Sequence, residues 1–399
     1  MEWPPPAPGG DPERQLYFLH IPKTAGISLD GFLRSMYRRE DVCPAYLDEE
    51  LDELDPSSLE RYRYVAGHFS LRPLAHSREP PAVVTLVREP SAQLLSAYWQ
   101  GLREPQHPLY WLWAGRTFAQ WLRDPETEFM LRNLQAQFLA GAVHTASQFG
   151  DNELYDRAVA TLDSCIWYSA TEHLGSSLPR LAAALGWPVP TELPRVNAAP
   201  ESAPPPTAEE LELVEARCPV DMRLYQYALS RIQDLDKAAH VRPLEYLPSR
   251  GSLALDRPVV VELAEPFWGA GWWPRDPRGD SSAVRWTISG STASIDLPLR
   301  LRRGDRIDLF VAAAPDARLV NDMCIETNGH RAEVHDIHPC PPHFVVPAVI
   351  TRETGGWTRV TISTPPRAAD RGAQLRPRDD RPGVGIERMV LVPDGATQV

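Results

Sequence analysis

Phe18-Leu19-His20-Ile21-Pro22-Lys23-Thr24-Ala25-Gly26-Ile27-Ser28 leads from the end of an apolar run, Leu16 to Leu19, into a helical pattern over Gly26 to Met36. A short apolar run bounded in this way reads as a buried strand, which places the lysine, two hydroxyls and a glycine in a strand-to-helix turn. Such a turn is a phosphate cradle: N–H groups at the helix start and the helix dipole hold an anion, and Gly26 lets the backbone come close. Lys23 supplies a full positive charge. The Walker pattern GxxxxGK[ST] is absent, which weakens an ordinary nucleoside-triphosphate reading. The plainer alternative is an exposed loop entering a helix, with His20 only orienting the turn.

The same grammar recurs downstream. Ala82 to Val87 is a second buried strand, followed by Arg88-Glu89-Pro90 and a helix over Pro90 to Arg103, where proline suits the first helical position. Arg88 could grip a phosphate with its planar fork, and Ser96, two helical turns on, could donate a hydroxyl to the same group. A structural ion pair between Arg88 and a neighbouring carboxylate explains it nearly as well. A third run, Cys165 to Ala170, precedes a helical pattern over Leu174 to Leu185, and another helical pattern covers Ala208 to Leu229. Alternating strands and helices predict an α/β fold with a parallel sheet and flanking helices.

Beyond Asp256 the grammar changes. Val259 to Leu263, Ala293 to Leu297, Arg306 to Val311 and Thr358 to Ser363 are short, β-rich and separated by turn residues, as in an all-β sandwich. The boundary is placed between Asp236 and Asp256, giving domains at 1–240 and 257–399; the proline-rich stretch Trp187 to Pro206 stays inside the first. Trp268, Trp272, Trp273 and Trp286 lie within twenty residues of one another, which suits either sandwich packing or a sugar-stacking platform, with packing favoured.

Composition narrows the function. The chain has 399 residues, 43% hydrophobic and 24% charged, within the globular range. A formal charge of -12 argues against a nucleic-acid-binding surface, so an anionic ligand needs a local pocket. No apolar segment is long enough for a membrane span and no secretory leader is evident, which predicts a cytoplasmic protein. The five cysteines lack metal-ligand or disulfide spacing, so no metal is expected. Only Lys23 and Lys237 are lysines among 41 Lys and Arg residues, which marks Lys23 as a place where a compact point charge is wanted.

HIPKTAGIS and REPSAQLLSAYW together resemble the PAPS-dependent sulfotransferases, especially the branch of heparan sulfate 2-O-sulfotransferases and many bacterial members. The first is similar to that family's 5′-phosphosulfate loop and the second to its 3′-phosphate motif. Ser169 to Leu174 and Asn133 to Leu139 are similar to two later family segments, and the likeness runs over roughly residues 15 to 235. The resemblance implies a P-loop-like sheet, with Lys23, Thr24, Ala25, Gly26, Ile27 and Ser28 on the 5′ side of PAPS and Arg88 and Ser96 on its 3′-phosphate. It also implies that Lys23 stabilises the departing phosphate.

A hydroxyl acceptor needs a base, and His68, at the end of Tyr64-Val65-Ala66-Gly67-His68, is the candidate. By the resemblance it matches the second histidine of a His-Gly-His triplet whose first position is Ala66 here. A half-buried structural histidine is the alternative, and His20 is its rival as base. Arg34, Arg38 and Arg39 read more simply as a solvated helix face than as a substrate patch, and Asp48 to Glu53 as a solvated acidic helix. The expected activity is sulfuryl transfer from PAPS to a hydroxyl of a carbohydrate or glycoconjugate. The other readings are a catalytically inactive glycan-binding protein and a kinase-like phosphotransferase, the latter lacking an evident magnesium-binding carboxylate.

Overall fold

Leu16–Leu19 (β1), Tyr64–Gly67 (β2), Ala82–Val87 (β3) and Trp167–Ala170 (β4) pair in parallel in the order β2-β1-β3-β4. The structure is a computed structural model describing residues 14–77, 79–103, 105, 107–143, 145–185, 204–238, 253–273, 284–297, 299–355, 358–365 and 382–396. The proline-rich stretch at 187–206 lies outside them except for 204–206, and so does most of the interval in which the boundary was placed.

Every residue of the four strands is buried, because helices cover both faces of the sheet. Tyr17, Leu19, Val65, Val83, Val87 and Tyr168 turn to one core, while Leu16, Phe18, Tyr64, Ala66, Val84, Leu86 and Trp167 turn to the other. The helices are α1 (Gly26–Ser35), α2 (Asp48–Asp52), α3 (Pro90–Leu102), α4 (Phe118–Arg123), α5 (Glu128–Leu131), α6 (Leu134–Ala140), α7 (Asp151–Ser164), α8 (Leu174–Leu185), α9 (Ala208–Arg217) and α10 (Pro219–Ala238). α1 and α8 cover the Phe18 face, and α6, α7 and α10 cover the Tyr17 face. α3, α4 and α9 share a separate cluster around Tyr98 and Trp121.

α1 is buried nearly all round. Leu29, Phe32 and Leu33 pack toward the sheet at helical spacing. Its other side meets the C-terminal part of the chain, so the expected solvated basic face is not found. Arg34 is buried and pairs with Asp30 one turn earlier, at 2.8 and 2.9 Å, while the Tyr64 hydroxyl donates to the same carboxylate at 2.6 Å. Arg39 donates to the Val284 carbonyl at 2.8 Å. Of the three arginines expected on that face only Arg38 is exposed, and it faces Glu265. The expectation failed because a helix face is solvated only when nothing else in the chain covers it. α2 is largely solvated, as expected, with Leu51 as its buried contact.

The C-terminal part has two large antiparallel sheets, beside a short parallel pair of Leu253–Ala254 with Leu299–Arg300. One sheet runs Glu333–Val334, His343–Val349, Arg306–Ala313, Pro382–Val392, Val259–Glu262, and the other His330–Arg331, Cys324–Thr327, Thr358–Ser363, Thr292–Leu297, Trp268–Ala270. One core joins Ile307, Leu309, Ile386 and Leu391 of the first to Ala293, Ile295, Val360 and Ile362 of the second, as facing inner surfaces of two sheets require. Trp272 belongs to this core and its indole N–H donates to the Ser294 carbonyl at 2.9 Å; Trp286 is buried too. These two rings are packing residues. A concavity of 1720 Å³ opens on the outer face around Arg306, Asp308, Phe310 and Arg388, and shares no residue with the strand ends of the parallel sheet.

Candidate functional site

Because β1 to β4 are parallel, the segments that follow them leave from one edge of the sheet. The chain passes from β1 to β2 on one side, while β3 and β4 extend on the other. The gap between the ends of β1 and β3 is therefore a topological switch point, where open α/β sheets bind ligands. Lys23 follows β1 and Arg88 follows β3.

The turn after β1 is strained. Lys23 (φ 68°) and Ala25 (φ 61°) both occupy the left-handed region, which costs side-chain-bearing residues on the order of 1–3 kcal/mol each. Four successive carbonyls are held in place: Ile21 by Thr24 Oγ1 (2.8 Å), Pro22 by Gln93 Nε2 (2.9 Å), Lys23 by Arg88 Nη1 (3.0 Å) and Thr24 by Thr171 Oγ1 (2.9 Å). In a trans peptide the next N–H points opposite to the carbonyl, so the amides of Thr24 and Ala25 face away from these side chains. They stand just ahead of the first turn of α1, whose N-cap, Ala25, offers no side-chain acceptor. A turn with left-handed residues ahead of a helix start can turn backbone N–H groups toward one point, as anion-binding nests do.

Of the residues expected in the cradle, Thr24 and Ser28 are buried, while Lys23, Ala25 and Ile27 are half-buried. The Thr24 hydroxyl is committed to Ile21, so its backbone is what it presents. Gly26 is constrained by a neighbour that its place in the turn does not announce. A Cβ there would lie 2.0 Å from His20 Nε2, so the imidazole fills the space beneath the helix start. Lys23 Nζ donates to Gln100 Oε1.

Arg88 is gripped through its backbone. Its N–H donates to Gln135 Oε1 (2.9 Å) and its carbonyl accepts from Gln135 Nε2 (2.8 Å). Gln135 stands at the start of α6, where its own N–H and that of Ala136 donate to the Asp221 carboxylate at 3.1 and 2.8 Å. Burial pushes Asp221 up to about 7, with those two donors pulling the other way. Burial also lowers the Arg88 guanidinium, against Glu172 and Glu89. Its Nε is buried, 4.0 Å from Glu172, and among the described residues has no hydrogen-bond partner. A buried guanidinium N–H left this way costs free energy unless something accepts from it. Ser96 lies on α3 between Gln93 and Gln100 at spacings of three and four, so all three share the helix face toward the turn.

His68 lies at the end of β2. Its Nδ1 and the His20 carbonyl are 2.7 Å apart; only the ring nitrogen can donate there, which assigns a proton to Nδ1, so that in the neutral ring the lone pair is on Nε2. The His20 and His68 rings are 4.6 Å apart, and Tyr46 lies against both. His20 is buried with Nδ1 2.8 Å from the Tyr46 hydroxyl. Burial, and then His68, Lys23 and Arg34, hold it well below its ordinary range, so it stays neutral.

Lys23, Arg88 and His68 thus follow strands at one edge of the sheet, and Ser96 lies two turns into the helix that continues from β3. Gln93, Gln100, Gln135, Tyr46, Thr171 and Asp221 were not anticipated. The helical spacing from Ser96 could have suggested Gln93 and Gln100. Nothing local marks Tyr46 or Asp221, whose partners lie 26 and more than 80 positions away.

No family model matches the chain. A stretch of 85 residues, 21% of the chain, is 35% identical to a protein-tyrosine sulfotransferase of Arabidopsis thaliana. That stretch spans 16% of the relative's length. Among the described residues no helix is long and apolar enough to cross a membrane.

Proposed function

We propose that the chain is a PAPS-dependent sulfotransferase, with a P-loop-like transferase unit at 1–240 and a β-sandwich accessory at 257–399. The observation that carries this reading is a buried Arg88 Nε that has no hydrogen-bond partner among the described residues, at a switch point whose other side is a strained, lysine-bearing turn before a helix with no side-chain N-cap. Two separated cationic groups suit a ligand with phosphates at both ends of a nucleoside. Lys23 and the backbone of Thr24, Ala25, Gly26, Ile27 and Ser28 take the 5′-phosphosulfate; Arg88 and Ser96 take the 3′-phosphate.

Transfer is an in-line displacement. The acceptor oxygen bonds to sulfur as the bond from sulfur to the bridging oxygen breaks, and the acceptor proton passes to Nε2 of His68. Lys23 leaves Gln100 to offset the charge that develops on the departing phosphate. The acceptor is a hydroxyl of a carbohydrate or glycoconjugate.

Calorimetry with 3′-phosphoadenosine 5′-phosphate, beside ATP with magnesium, tests the donor. Labelled PAPS offered with a glycan panel and tyrosine peptides tests the acceptor. Preference for ATP removes the reading, and transfer to peptides alone replaces the acceptor class. Tight nucleotide binding without transfer to any acceptor leaves the inert glycan-binding alternative.

A further inference from the structure

The N-terminus of α1 forms the candidate cradle, and its other end is closed from more than 230 positions away. The last four carbonyls of a helix have no partner inside it. In α1, Phe32 accepts from Ser35 Oγ (2.7 Å) and Leu33 from the Met36 N–H (3.1 Å). Ser35 accepts from the Phe267 N–H (2.9 Å), and Arg34 from Arg285 Nη2 (3.3 Å) as well as from the Tyr37 N–H (3.3 Å). The C-terminal β region therefore serves two of the four.

Arg285 also donates to the carbonyls of Tyr37 (3.1 Å) and Leu263 (3.0 Å). It is buried, and among the described residues no carboxylate pairs with it. Burial, then Arg39 and Arg34, lower it to about 9. A buried cation without a counter-ion is costly, but the C-terminus of a helix is where the macrodipole favours it. One turn back, Gly31 and Ser35 share the face toward the same region. Ser35 Oγ, whose one proton is shared with the nearer Phe32 carbonyl, lies 3.2 Å from the Gly269 carbonyl, and a Cβ on Gly31 would stand 2.6 Å from the Trp272 carbonyl oxygen.

We propose that the C-terminal β region is a structural component of the nucleotide site and that Arg285 is its positioning residue. By holding the last turn of α1 it sets where the first turn and Lys23 stand. A ten-residue helix is about 15 Å long and, packed on both sides, moves as a unit. The inference rests on the reading of the α1 N-terminus as a nucleotide site. It assigns the accessory region a role in donor binding, separate from any recognition of the acceptor.

The experiment uses the full chain and titrates 3′-phosphoadenosine 5′-phosphate into wild type, Arg285→Gln, Arg285→Lys and Gly31→Ala. Hydrogen exchange at Phe267 is followed with and without nucleotide. Arg285→Gln is expected to weaken binding about tenfold, and Arg285→Lys, which keeps the charge at the helix C-terminus but not the fork that reaches three carbonyls, to recover only part of the loss. Alanine favours helix over glycine, so an independent α1 would gain from Gly31→Ala; the expected result is instead a several-fold loss. Linkage requires that bound nucleotide slow exchange of the Phe267 amide. Failure of wild type to bind removes the nucleotide reading and this inference with it. Tight wild-type binding, with unchanged affinity in Gly31→Ala or unaltered Phe267 exchange, overturns this inference alone. Those two measurements decide the matter even where Arg285→Gln does not fold.

Discussion

Arg88 Nη1 donates to the backbone carbonyl of Lys23 at 3.0 Å, tying the end of β3 to the turn after β1 although 65 positions separate the two residues. One arginine thereby shapes the lysine turn and carries charge at its side. Both roles depend on the planar fork.

Arg88→Ala is expected to lower affinity for 3′-phosphoadenosine 5′-phosphate by about 10- to 100-fold, the loss of a hydrogen bond to a charged group. Adenosine 5′-phosphosulfate, which has no 3′-phosphate, should lose far less. Arg88→Lys should recover little, since a point charge cannot serve a carbonyl and a phosphate in two directions. Competition titrations read the difference, and equal losses for both nucleotides would place Arg88 away from the 3′ end.

His68→Ala should leave nucleotide affinity within about twofold while turnover falls by roughly 10²- to 10⁴-fold, the usual worth of a general base. Single-turnover sulfate transfer measures it. Undiminished transfer would make His68 a structural histidine and move attention to the neighbouring Tyr46.

Gly26→Ala should cost about 1–3 kcal/mol of stability through its clash with the His20 ring. The double variant His20→Ala/Gly26→Ala should recover most of that loss, giving a coupling of at least about 1 kcal/mol in a urea-unfolding cycle. Additive losses would mean that the ring does not fill the space beneath the helix start.

Asp221 supplies a pH dependence with a definite sign. Its carboxyl titrates near 7 when folded and near the ordinary carboxylate value of 3.8 when unfolded, so between those values the native state holds the extra proton. Its contribution is fully present below about pH 3.8 and is lost as pH rises through 7. The upper bound is roughly 4 kcal/mol. Asp221→Asn should flatten that part of the stability profile measured by urea unfolding between pH 4 and 8. A wild-type profile without that fall would show that the two amide donors keep the carboxylate ionised throughout.

Much of the framework was legible locally. The runs at Leu16 and Ala82 are continuous because both sheet faces are covered, and each is followed by a helix whose start is marked by Gly26 or Pro90. β2 was harder to see as a strand: its four residues, Tyr64 to Gly67, are too few to establish a period. Arg34 was misjudged as surface because a basic residue on a helix is normally solvated, and nothing near it announces that Trp268 to Trp272 will cover α1. The tryptophans at 272 and 286 carry no local sign of which way they face.

The chain's local order determined the strand-to-helix junctions, the cationic residues at their ends and the change to β grammar after Asp256, because periodicity and helix-start chemistry are short-range properties. Only the tertiary structure decided that β1 and β3 lie side by side, that Gln135 and Asp221 hold Arg88, and that Arg285 closes α1. Those pairings depend on which distant backbone groups need a partner once the sheet and its covering layers have excluded water.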